Sequence, residues 1–321
     1  MSYNCVVLIK QVPDTKRITG DAMNDDGTVK RSALPAIFNP EDLNALELAL
    51  QIKERFGGHI TVISMGLPAA GAILRESLYR GADQAILITD PRCAASDTLA
   101  TSYILSCAVK KLLSRASGSR VRGQDARDTL DYDIVLCGRQ AIDGDTAQVG
   151  PQLAEKLGLT QITYVEALED LDDKTIVARR NIGNGWQKVK TELPVLLTVI
   201  STANEPRVAA ARKMMKFKNA LSLGEIMQKI KAENPNADKS DLEKLVEHKS
   251  SELEKGNLLI KQWNLDDLEA DLQWCGQSGS PTKVHRIQSV VLAAKQSKGI
   301  EANEKGIADM IHELITDKVI A

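Results

Sequence analysis

The chain has 321 residues, of which 43% are hydrophobic and 26% charged, and its formal net charge at pH 7 is −2. This is the composition of an ordinary globular protein, and the near-neutral charge favours neither nucleic acid nor anionic lipid as a partner. Because no run of about 18 apolar residues occurs, we expect no insertion into a membrane. The five cysteines lack metal-ligand spacing, which predicts reduced thiols, a cytoplasmic location and no bound metal.

The first two-thirds of the chain alternate between short apolar runs and helical patterns. The apolar runs predict buried strands, at residues 5–9, 59–64, 84–88 and 133–137. The patterns between them predict helices, over residues 39–57, 69–80 and 96–113. This alternation is typical of an α/β protein with a doubly wound, mostly parallel sheet. Ligands on such sheets bind at the carboxyl ends of the strands, so the residues that follow each strand are the first candidates for a site.

The first predicted helix carries start and stop signals. Asn39 is expected to cap its free N–H groups, Pro40 suits its first turn, and Glu41 and Asp42 oppose the helix dipole. Gly57 is expected to end it.

The chain changes character after residue 161. Three β segments are predicted, at residues 162–169, 175–182 and 186–193. Gly183–Gly185 is expected to form a hairpin turn between the last two, and residues 193–200 a further buried strand. Two stretches are expected to be solvated, namely an arginine-containing loop at residues 114–128 and an exposed helix or linker at residues 234–256. The C-terminal residues 298–321 predict an amphipathic helix.

The most informative motif is the run GRQAIDGDTAQVGP, which spans residues 138–151 directly after a predicted buried strand. Gly138 and Gly144 allow close backbone approach or positive φ, and Asp145 or Thr146 is expected to cap the helix that follows. A strand, a glycine-containing loop and a helix start direct several N–H groups at one point, which is how a backbone binds phosphate.

Side chains of the same loop offer further ligand contacts. Arg139 offers a forked donor for a phosphate, while Gln140 and Gln148 offer amides to a base, a ribose or the edge of a flavin. The alternative is a loop that only leads into a capped helix. The run contains neither the Gly-Lys-Ser/Thr of a Walker motif nor a GxGxxG fingerprint, which disfavours a kinase or a standard dinucleotide dehydrogenase.

The loop resembles the adenine-nucleotide loop of electron-transfer flavoprotein β subunits. Further features resemble this family, in the family's order along residues 4–218: VLIKQVPDT from residue 7, Asn39-Pro40, Ser64-Met65-Gly66, Leu193-Pro194 and Asn204-Glu205-Pro206-Arg207. The resemblance implies an α/β domain like that of adenine-nucleotide hydrolases, which packs on a larger α subunit with an FAD of its own. It also implies a nucleotide site on this chain, which holds AMP in simple electron carriers and a second FAD in electron-bifurcating members.

The resemblance implies the residues of that site position by position. In chain order they are Leu8; Asn39, Pro40, Glu41 and Asp42; Met65 and Gly66; Thr98, Thr101 and Ser102; and the loop Gly138, Arg139, Gln140, Ala141, Ile142, Asp143, Gly144, Asp145, Thr146, Ala147, Gln148 and Val149. The implied chemistry is that of the cofactor, so no side chain is expected to act as acid, base or nucleophile.

The loop resembles the bifurcating branch more than the AMP-binding branch. Gly144 stands where the AMP-binding branch usually has Asp, and Thr146-Ala147 stand where it has Cys-Asn. The stretch Ser96–Ser102 also resembles the bifurcating branch, and its hydroxyls are expected to take the pyrophosphate or flavin side of FAD. Plain helix capping by Asp97 is the alternative. Bifurcation implies NADH as electron donor, with a flavin dehydrogenase and a ferredoxin or flavodoxin as acceptors.

The segment 204–218 resembles the family's dehydrogenase recognition loop. Its predicted partner-binding residues are Val208, Ala209, Ala210, Ala211, Arg212, Met214 and Met215. Ala211 stands where simple carriers have an anchoring leucine, which argues against the standard acyl-CoA dehydrogenase contact, and an amphipathic helix start is the alternative.

The resulting domain plan is a nucleotide- or FAD-binding α/β domain at residues 1–203, the recognition segment and a C-terminal arm at residues 219–321. The arm contains Trp263, Trp274 and Gly279–Val284, a stretch that resembles a short family motif. It is expected to pack on the α subunit, and a free tail with a tethered helix is the alternative. Two other classes remain open: a stand-alone adenine-nucleotide-binding protein of the universal-stress type, and a structural subunit with a vestigial site.

Overall fold

The structure is a computed structural model that describes residues 2–14, 34–116, 132–282 and 299–316. The strands in these ranges are β1 Cys5–Leu8, β2 Gln11–Pro13, β3 Ala36–Phe38, β4 Ile60–Met65, β5 Gln84–Ile88, β6 Ile134–Gly138, β7 Thr160–Leu171, β8 Thr175–Asn181, β9 Trp186–Glu192, β10 Val195–Val199, β11 Leu221–Ser222 and β12 Leu259–Trp263. The α-helices are α1 Pro40–Phe56, α2 Gly71–Arg80, α3 Thr98–Ala116, α4 Val149–Leu157, α5 Ala211–Phe217, α6 Leu223–Glu233, α7 Lys239–Lys255 and α8 Glu304–Thr316.

The strands and helices predicted for the first two-thirds of the chain are present, with small differences at their ends. A 3₁₀ turn at Pro68–Ala70 precedes α2, where the sequence pattern predicted a continuous helix. Helix α3 continues to Ala116, three residues beyond its predicted end. The arginine-containing loop predicted at residues 114–128 lies outside the described residues from residue 117 onward.

Ten of the described strands form one sheet in the order β11-β12-β5-β4-β1-β6-β10-β7-β8-β9. Neighbours from β11 to β7 pair in parallel, and β7, β8 and β9 pair antiparallel. The predicted doubly wound, mostly parallel sheet is therefore confirmed. The predicted hairpin turn is also confirmed, because Asn181 pairs with Trp186 across a turn in which Gly183 has a φ of 85°.

Each face of the sheet is covered by a different pair of helices. In β1, Cys5 and Val7 face the cluster that contains the apolar stripes of α1 and α2, whereas Val6 and Leu8 face the cluster formed with α3 and α4. Burial on both faces explains why the parallel strands are continuous apolar runs in the sequence.

The C-terminal third adds to the sheet in a way that the sequence pattern did not predict. Strand β12 pairs with β5, and the two-residue β11 pairs with β12. Trp263, which was expected in an arm on the partner subunit, is buried in this chain with 4% of its surface exposed. Helices α6 and α7 pack together over Ile226, Ile230, Val246 and Leu253. Strands of two and five residues are too short to show a hydrophobic periodicity, so the sequence pattern does not distinguish them from the helices around them.

Helix α8 confirms the predicted amphipathic pattern over Glu304–Thr316. Its apolar residues Ile307, Ile311 and Ile315 are 42–50% exposed, and none of its residues is buried in this chain. Among the residues that the structure describes, no helix is both long enough and apolar enough to cross a bilayer.

Candidate functional site

A cavity of about 370 Å³ opens at the carboxyl edge of the sheet, where β1, β4 and β6 end. This is the edge at which parallel α/β sheets bind ligands, and the volume is in the range of small-molecule sites. One side, called the loop wall, is formed by residues 137–150. The facing side, called the helix wall, is formed by residues 93–105, which include the start of α3. Leu8 and Met65, at the ends of β1 and β4, line the cavity between the two walls.

The backbone of the loop wall is a tight turn. The N–H groups of Gly144 and Asp145 both donate to the carbonyl of Ala141, at 3.2 and 3.0 Å. Asp145 and Ala147 have left-handed φ values of 49° and 53°. Such values are uncommon for residues with a Cβ atom, and they concentrate at sites where the backbone is shaped for a purpose.

The start of α4 has no side-chain cap. Gln148 is its N-cap residue and makes no capping hydrogen bond. The prediction that Asp145 or Thr146 caps this helix is therefore wrong, because the helix begins later and the Asp145 carboxylate instead accepts from the Gln140 amide at 2.9 Å. Since Val149 and Gly150 line the cavity, an uncapped helix start faces the place where a ligand would lie.

Two glycines of the loop wall differ in how much space surrounds them. A Cβ atom at Gly138 would lie 2.5 Å from Oδ1 of Asp42 and 2.8 Å from the backbone of Glu41, so α1 packs directly on this residue. A Cβ atom at Gly144 would meet nothing within 4 Å, and its φ is not left-handed. The fold therefore requires glycine at position 138, whereas at position 144 it leaves open space beside the cavity.

The first turn of α1 holds the loop wall in place. The Asn39 side chain donates to the carbonyl of Gln140 at 2.9 Å and accepts from the N–H of Ile142 at 3.1 Å. Glu41 accepts from the N–H of Gln140 at 3.1 Å and forms an ion pair with Arg139 at 3.0 Å. Asn39 makes no side-chain capping bond to α1, so that prediction is wrong, because the loop wall uses both of its polar atoms.

Asp42 joins two strand ends beneath the cavity. Its carboxylate accepts from the N–H of Lys10 at 2.8 Å and from the N–H of Gly138 at 2.9 Å, and only 6% of the residue is exposed. Burial raises the pKa of Asp42 to about 7, although these N–H donors act in the opposite direction. Outside this buried contact, the ammonium group of Lys10 lies 2.8 Å from the carboxylate of Asp143.

The helix wall is organised by Asp97. Its Oδ1 accepts from the N–H groups of Leu99 and Ala100, both at 3.0 Å, so the capping interpretation is confirmed. Thr98 and Thr101 line the cavity, and the Thr98 hydroxyl donates to the side chain of Gln148 on the loop wall at 2.9 Å. The two walls are therefore connected directly by a hydrogen bond.

The structure brings together most of the predicted site. The predicted residues that line the cavity are Leu8, Asp42, Met65, Thr98, Thr101, Gly138, Arg139, Gln140, Ala141, Gly144, Thr146, Ala147, Gln148 and Val149. Those that do not line it are Asn39, Pro40, Glu41, Gly66, Ser102, Ile142, Asp143 and Asp145. Ser102 is fully buried and donates to the carbonyl of Leu99 at 2.8 Å, which leaves its hydroxyl turned away from the cavity.

Further lining residues were not predicted as site residues. They are Ile9, Lys10, Ile63, Cys93, Ala95, Ser96, Asp97, Leu105, Cys137 and Gly150. The strand-end rule points to Lys10 and to the residues after β5, since both follow directly on buried strands. The apolar members Ile63 and Leu105 give no signal in the sequence that separates them from ordinary core residues.

The predicted partner-binding segment lies at the opposite edge of the sheet. Helix α2 begins near the carboxyl end of β4, where the cavity lies, and runs back toward the opposite ends of the strands. The N–H of Ala210 donates to the carbonyl of Tyr79 near the far end of α2, which places the segment away from the cavity. Val208 is 85% exposed and Met215 is 65% exposed. Residues 211–217 form the short helix α5, in agreement with the alternative interpretation of this segment.

The cysteines and the acidic side chains form neither a disulfide nor a metal site in the part of the chain that the structure describes. Within the described ranges, no group of three or more His, Cys, Asp or Glu residues is arranged to hold a metal ion. All five cysteines are free, and burial raises the pKa of the cavity-lining Cys93 thiol to about 11.

The chain is similar to known proteins over almost all of its length. The sequence model described as "Electron transfer flavoprotein domain" matches residues 26–222. The chain is 39% identical over 283 residues to an electron transfer flavoprotein subunit beta of Clostridium acetobutylicum, covering 88% of this chain and 86% of the relative. It is 37% identical over 322 residues to the subunit beta of Megasphaera elsdenii, covering 98% and 99%. It is 36% identical over 282 residues to subunit CarD of the caffeyl-CoA reductase-Etf complex of Acetobacterium woodii, covering 88% and 86%.

Proposed function

This chain belongs to the electron-transfer flavoprotein family as a β subunit, and on that premise we propose that its cavity binds FAD rather than AMP. The observation that carries the proposal is the pairing of an uncapped helix start on the loop wall with a hydroxyl-bearing helix wall across one cavity. The role of the chain is electron transfer together with an α subunit, and its own residues bind and orient the nucleotide.

The loop wall fits the phosphate and adenosine part of such a ligand. The start of α4 offers backbone N–H groups and the positive end of a helix dipole. Arg139 lines the cavity, and its guanidinium group forms an ion pair with Glu41 at 3.0 Å, which holds a forked donor next to the loop wall. The open space beside Gly144 leaves room for ligand atoms close to the backbone.

The helix wall fits the remaining part of a longer ligand. Leu105 is apolar, as is the neighbouring Met65 between the walls, and Thr98 and Thr101 offer hydroxyl groups to a polar ring edge. The Asp97 carboxylate already occupies two N–H groups at the start of α3 and carries a negative charge, which disfavours a phosphate there. We therefore propose that the phosphates lie against α4 and that the flavin side lies against the helix wall.

Flavin supplies the redox chemistry when it is bound, because it exchanges electrons both in pairs and singly. The residues of this chain position it and exclude water from it. We propose NADH as the electron donor, and a flavin dehydrogenase and a ferredoxin or flavodoxin as acceptors. The similarity to a subunit of a caffeyl-CoA reductase-Etf complex supports assembly with a partner enzyme.

The partner surfaces follow from the exposed apolar residues. We propose that Val208, Met214 and Met215 contact the flavin dehydrogenase, since they are 43–85% exposed at the edge of the sheet away from the cavity. We propose that the α subunit covers the apolar stripe of α8, which no part of the described chain buries. The free cysteines support a cytoplasmic location for the complex.

The test is to identify the nucleotides of the complex with its α subunit. The purified heterodimer is denatured and the released nucleotides are separated and counted, with two FAD per heterodimer as the expected result. One FAD and one AMP would overturn FAD binding by this chain and leave its electron-carrier role intact. A complex without any nucleotide on this chain would overturn the site itself.

A matched pair of variants connects that count to the cavity. Gly144→Asp places a carboxylate in the open space beside the loop wall, so we expect loss of the second FAD. Gly185→Asp makes the same change in the β8–β9 turn, where a Cβ atom also meets nothing within 4 Å, and we expect unchanged FAD content. Equal FAD content in both variants would contradict binding at the loop wall.

A further inference from the structure

We propose that Ser280 and Thr282 are positioning residues of the nucleotide cavity, which act by holding Asp97 and with it the helix wall. This inference rests on the proposed function, since it concerns the affinity of the same cavity for its nucleotide. The segment that contains both residues, called the clasp, comprises residues 275–282. It comes from the far end of the chain and is separated from Asp97 by about 180 residues of sequence.

Thr282 makes two hydrogen bonds to the free oxygen of the Asp97 carboxylate. Its N–H donates to Oδ2 at 3.0 Å, and its hydroxyl donates to the same oxygen at 2.6 Å. Oδ1 of Asp97 is meanwhile occupied by the first N–H groups of α3. Burial alone would raise the pKa of Asp97, but the bonds from Thr282 and from α3 outweigh it and lower the pKa, so the carboxylate is charged at neutral pH.

Ser280 fixes the backbone on the other side of Asp97. Its Oγ accepts from the N–H of Asp97 at 2.8 Å and donates to the carbonyl of Gly276 at 2.7 Å. Only 6% of Ser280 is exposed, so this hydroxyl is a buried link and not a surface contact. Asp97 is therefore held by the clasp through both its backbone and its side chain.

The clasp is itself anchored firmly next to the cavity. Cys275 is buried in the core cluster of the α3 face, with 2% exposure. A Cβ atom at Gly276 would lie 2.1 Å from the carbonyl oxygen of Arg92, so the clasp packs directly on the loop before α3. Arg92 in turn pairs with Asp90 at 2.6 Å and with Asp266 at 2.7 Å, which joins this loop to the chain that leads into the clasp.

The effect of the clasp reaches the ligand through the start of α3. Ser96, Asp97 and Thr98 all line the cavity, and Thr98 donates to Gln148 at the uncapped start of α4. Without the Thr282 hydroxyl, Oδ2 of Asp97 keeps only the bond from the Thr282 N–H, so the carboxylate is held less tightly. The cap on α3 and the Thr98–Gln148 bond then have a less fixed geometry. A ligand that contacts both walls then has to order them on binding, which weakens its affinity.

The experiment measures the dissociation constant of the nucleotide in the heterodimer for Thr282→Val, which keeps the shape and removes the hydroxyl. We expect binding weaker by about tenfold, a typical coupling between linked sites. We also expect faster hydrogen exchange at the N–H groups of Leu99 and Ala100 in the nucleotide-free complex. Thr282→Ser restores a hydroxyl, and we expect it to recover most of the affinity, which a role in packing alone would not produce.

Ser278→Ala is the matched control, because the Ser278 hydroxyl belongs to the same segment but donates to the carbonyls of Cys275, at 3.0 Å, and Leu272, at 3.5 Å, and not to Asp97. We expect its affinity and exchange to match the unmodified protein. The proposal is overturned by two results together, provided that the unmodified complex binds nucleotide. The dissociation constant of Thr282→Val would lie within twofold of the unmodified value, and hydrogen exchange at Leu99 and Ala100 would be unchanged. Absence of nucleotide from the unmodified complex would instead contradict the proposed function.

Discussion

The two walls of the cavity are held by different parts of the chain. The loop wall is fixed by the N-terminal region, through the first turn of α1, where Asn39 and Glu41 bond to the loop and Asp42 bonds to Gly138. The helix wall is fixed by the clasp near the C-terminal end, through Ser280 and Thr282. The two contacts differ in burial. Asp42, which holds the loop wall, is buried, whereas Thr282, which holds the helix wall, is exposed to solvent.

This difference indicates separate tasks for the two walls. The loop wall joins strand ends within the core of the sheet, so damage to it should affect both folding and binding. The Thr282 contact that holds the helix wall is exposed and joins no strand ends, so it is suited to adjust the fit of the ligand without loss of the fold. Substitutions in each wall test this difference.

The largest effect is expected at the contact between α1 and the loop wall. Gly138→Ala places a methyl group 2.5 Å from Asp42 and 2.8 Å from backbone atoms of α1, which cannot move without disrupting the strand end. We expect a loss of about 3 kcal/mol of unfolding free energy, at the upper end for overpacked sites. Chemical denaturation followed by circular dichroism measures it.

Gly144→Ala is the control for that substitution, since its methyl group meets nothing within 4 Å. We expect its unfolding free energy to change by less than about 0.5 kcal/mol, as for most surface substitutions. Equal losses in the two variants would show that the loop wall is not held by its contact with α1.

The next effect concerns the pH dependence of stability. Burial raises the pKa of Asp42 from 3.8 to about 7, so its protonated form is favoured in the folded chain. The stability from this protonation is complete below pH 3.8 and is lost as the pH rises through about 7. The free energy of unfolding should therefore fall over this window, with a slope of at most about 1.4 kcal/mol per pH unit from this group.

Asp42→Asn removes that titration while it keeps a similar size and shape. We expect the unfolding free energy of the variant to change less steeply with pH, by up to about 1.4 kcal/mol per pH unit. This expectation concerns the slope and does not depend on how stable the variant is at any single pH. Denaturation series at several pH values between 4 and 8 measure both slopes. Parallel curves for the two proteins would contradict a raised pKa at Asp42.

The smallest effect is expected on the helix wall and concerns binding only. Thr101→Val removes a cavity-lining hydroxyl with little change in volume. If the helix wall contacts the flavin side of FAD, the loss of one hydrogen bond should weaken FAD binding by about fivefold, with an unchanged melting temperature. The measurement is equilibrium dialysis of FAD against the heterodimer.

Ser102→Ala is the neighbouring control, because Ser102 does not line the cavity. Its hydroxyl donates to the carbonyl of Leu99 at 2.8 Å and lies 3.4 Å from Oε1 of Gln152. We expect its FAD affinity to stay within twofold of the unmodified protein. A Thr101→Val variant that also binds FAD unchanged would limit the ligand contacts to the loop wall.

Much of the fold could be predicted because its parallel strands are buried on both faces. Runs such as residues 5–9 and 133–137 are apolar throughout, and helix signals such as Pro40 stand between them. Strands β11 and β12 could not be predicted, because they are short and have no pattern of their own. β12 pairs with β5, which lies more than 100 residues earlier, and β11 pairs with β12. The predictions that Asn39 and Asp145 cap helices were wrong for a related reason, because the partners of these side chains depend on the fold. Each side chain bonds to a residue of the loop wall instead.

The family and the parallel sheet could be predicted from the sequence alone, and so could the loop at residues 138–149 as the candidate site. These features depend on local composition and on the order of motifs, both of which can be read directly from the sequence. The contacts of Asn39 and Glu41 with the loop wall, and of the clasp with Asp97, became visible only in the folded chain. The physical reason is that a polar side chain can satisfy its hydrogen bonds locally or across the fold, and only the packed chain determines which partner is in reach.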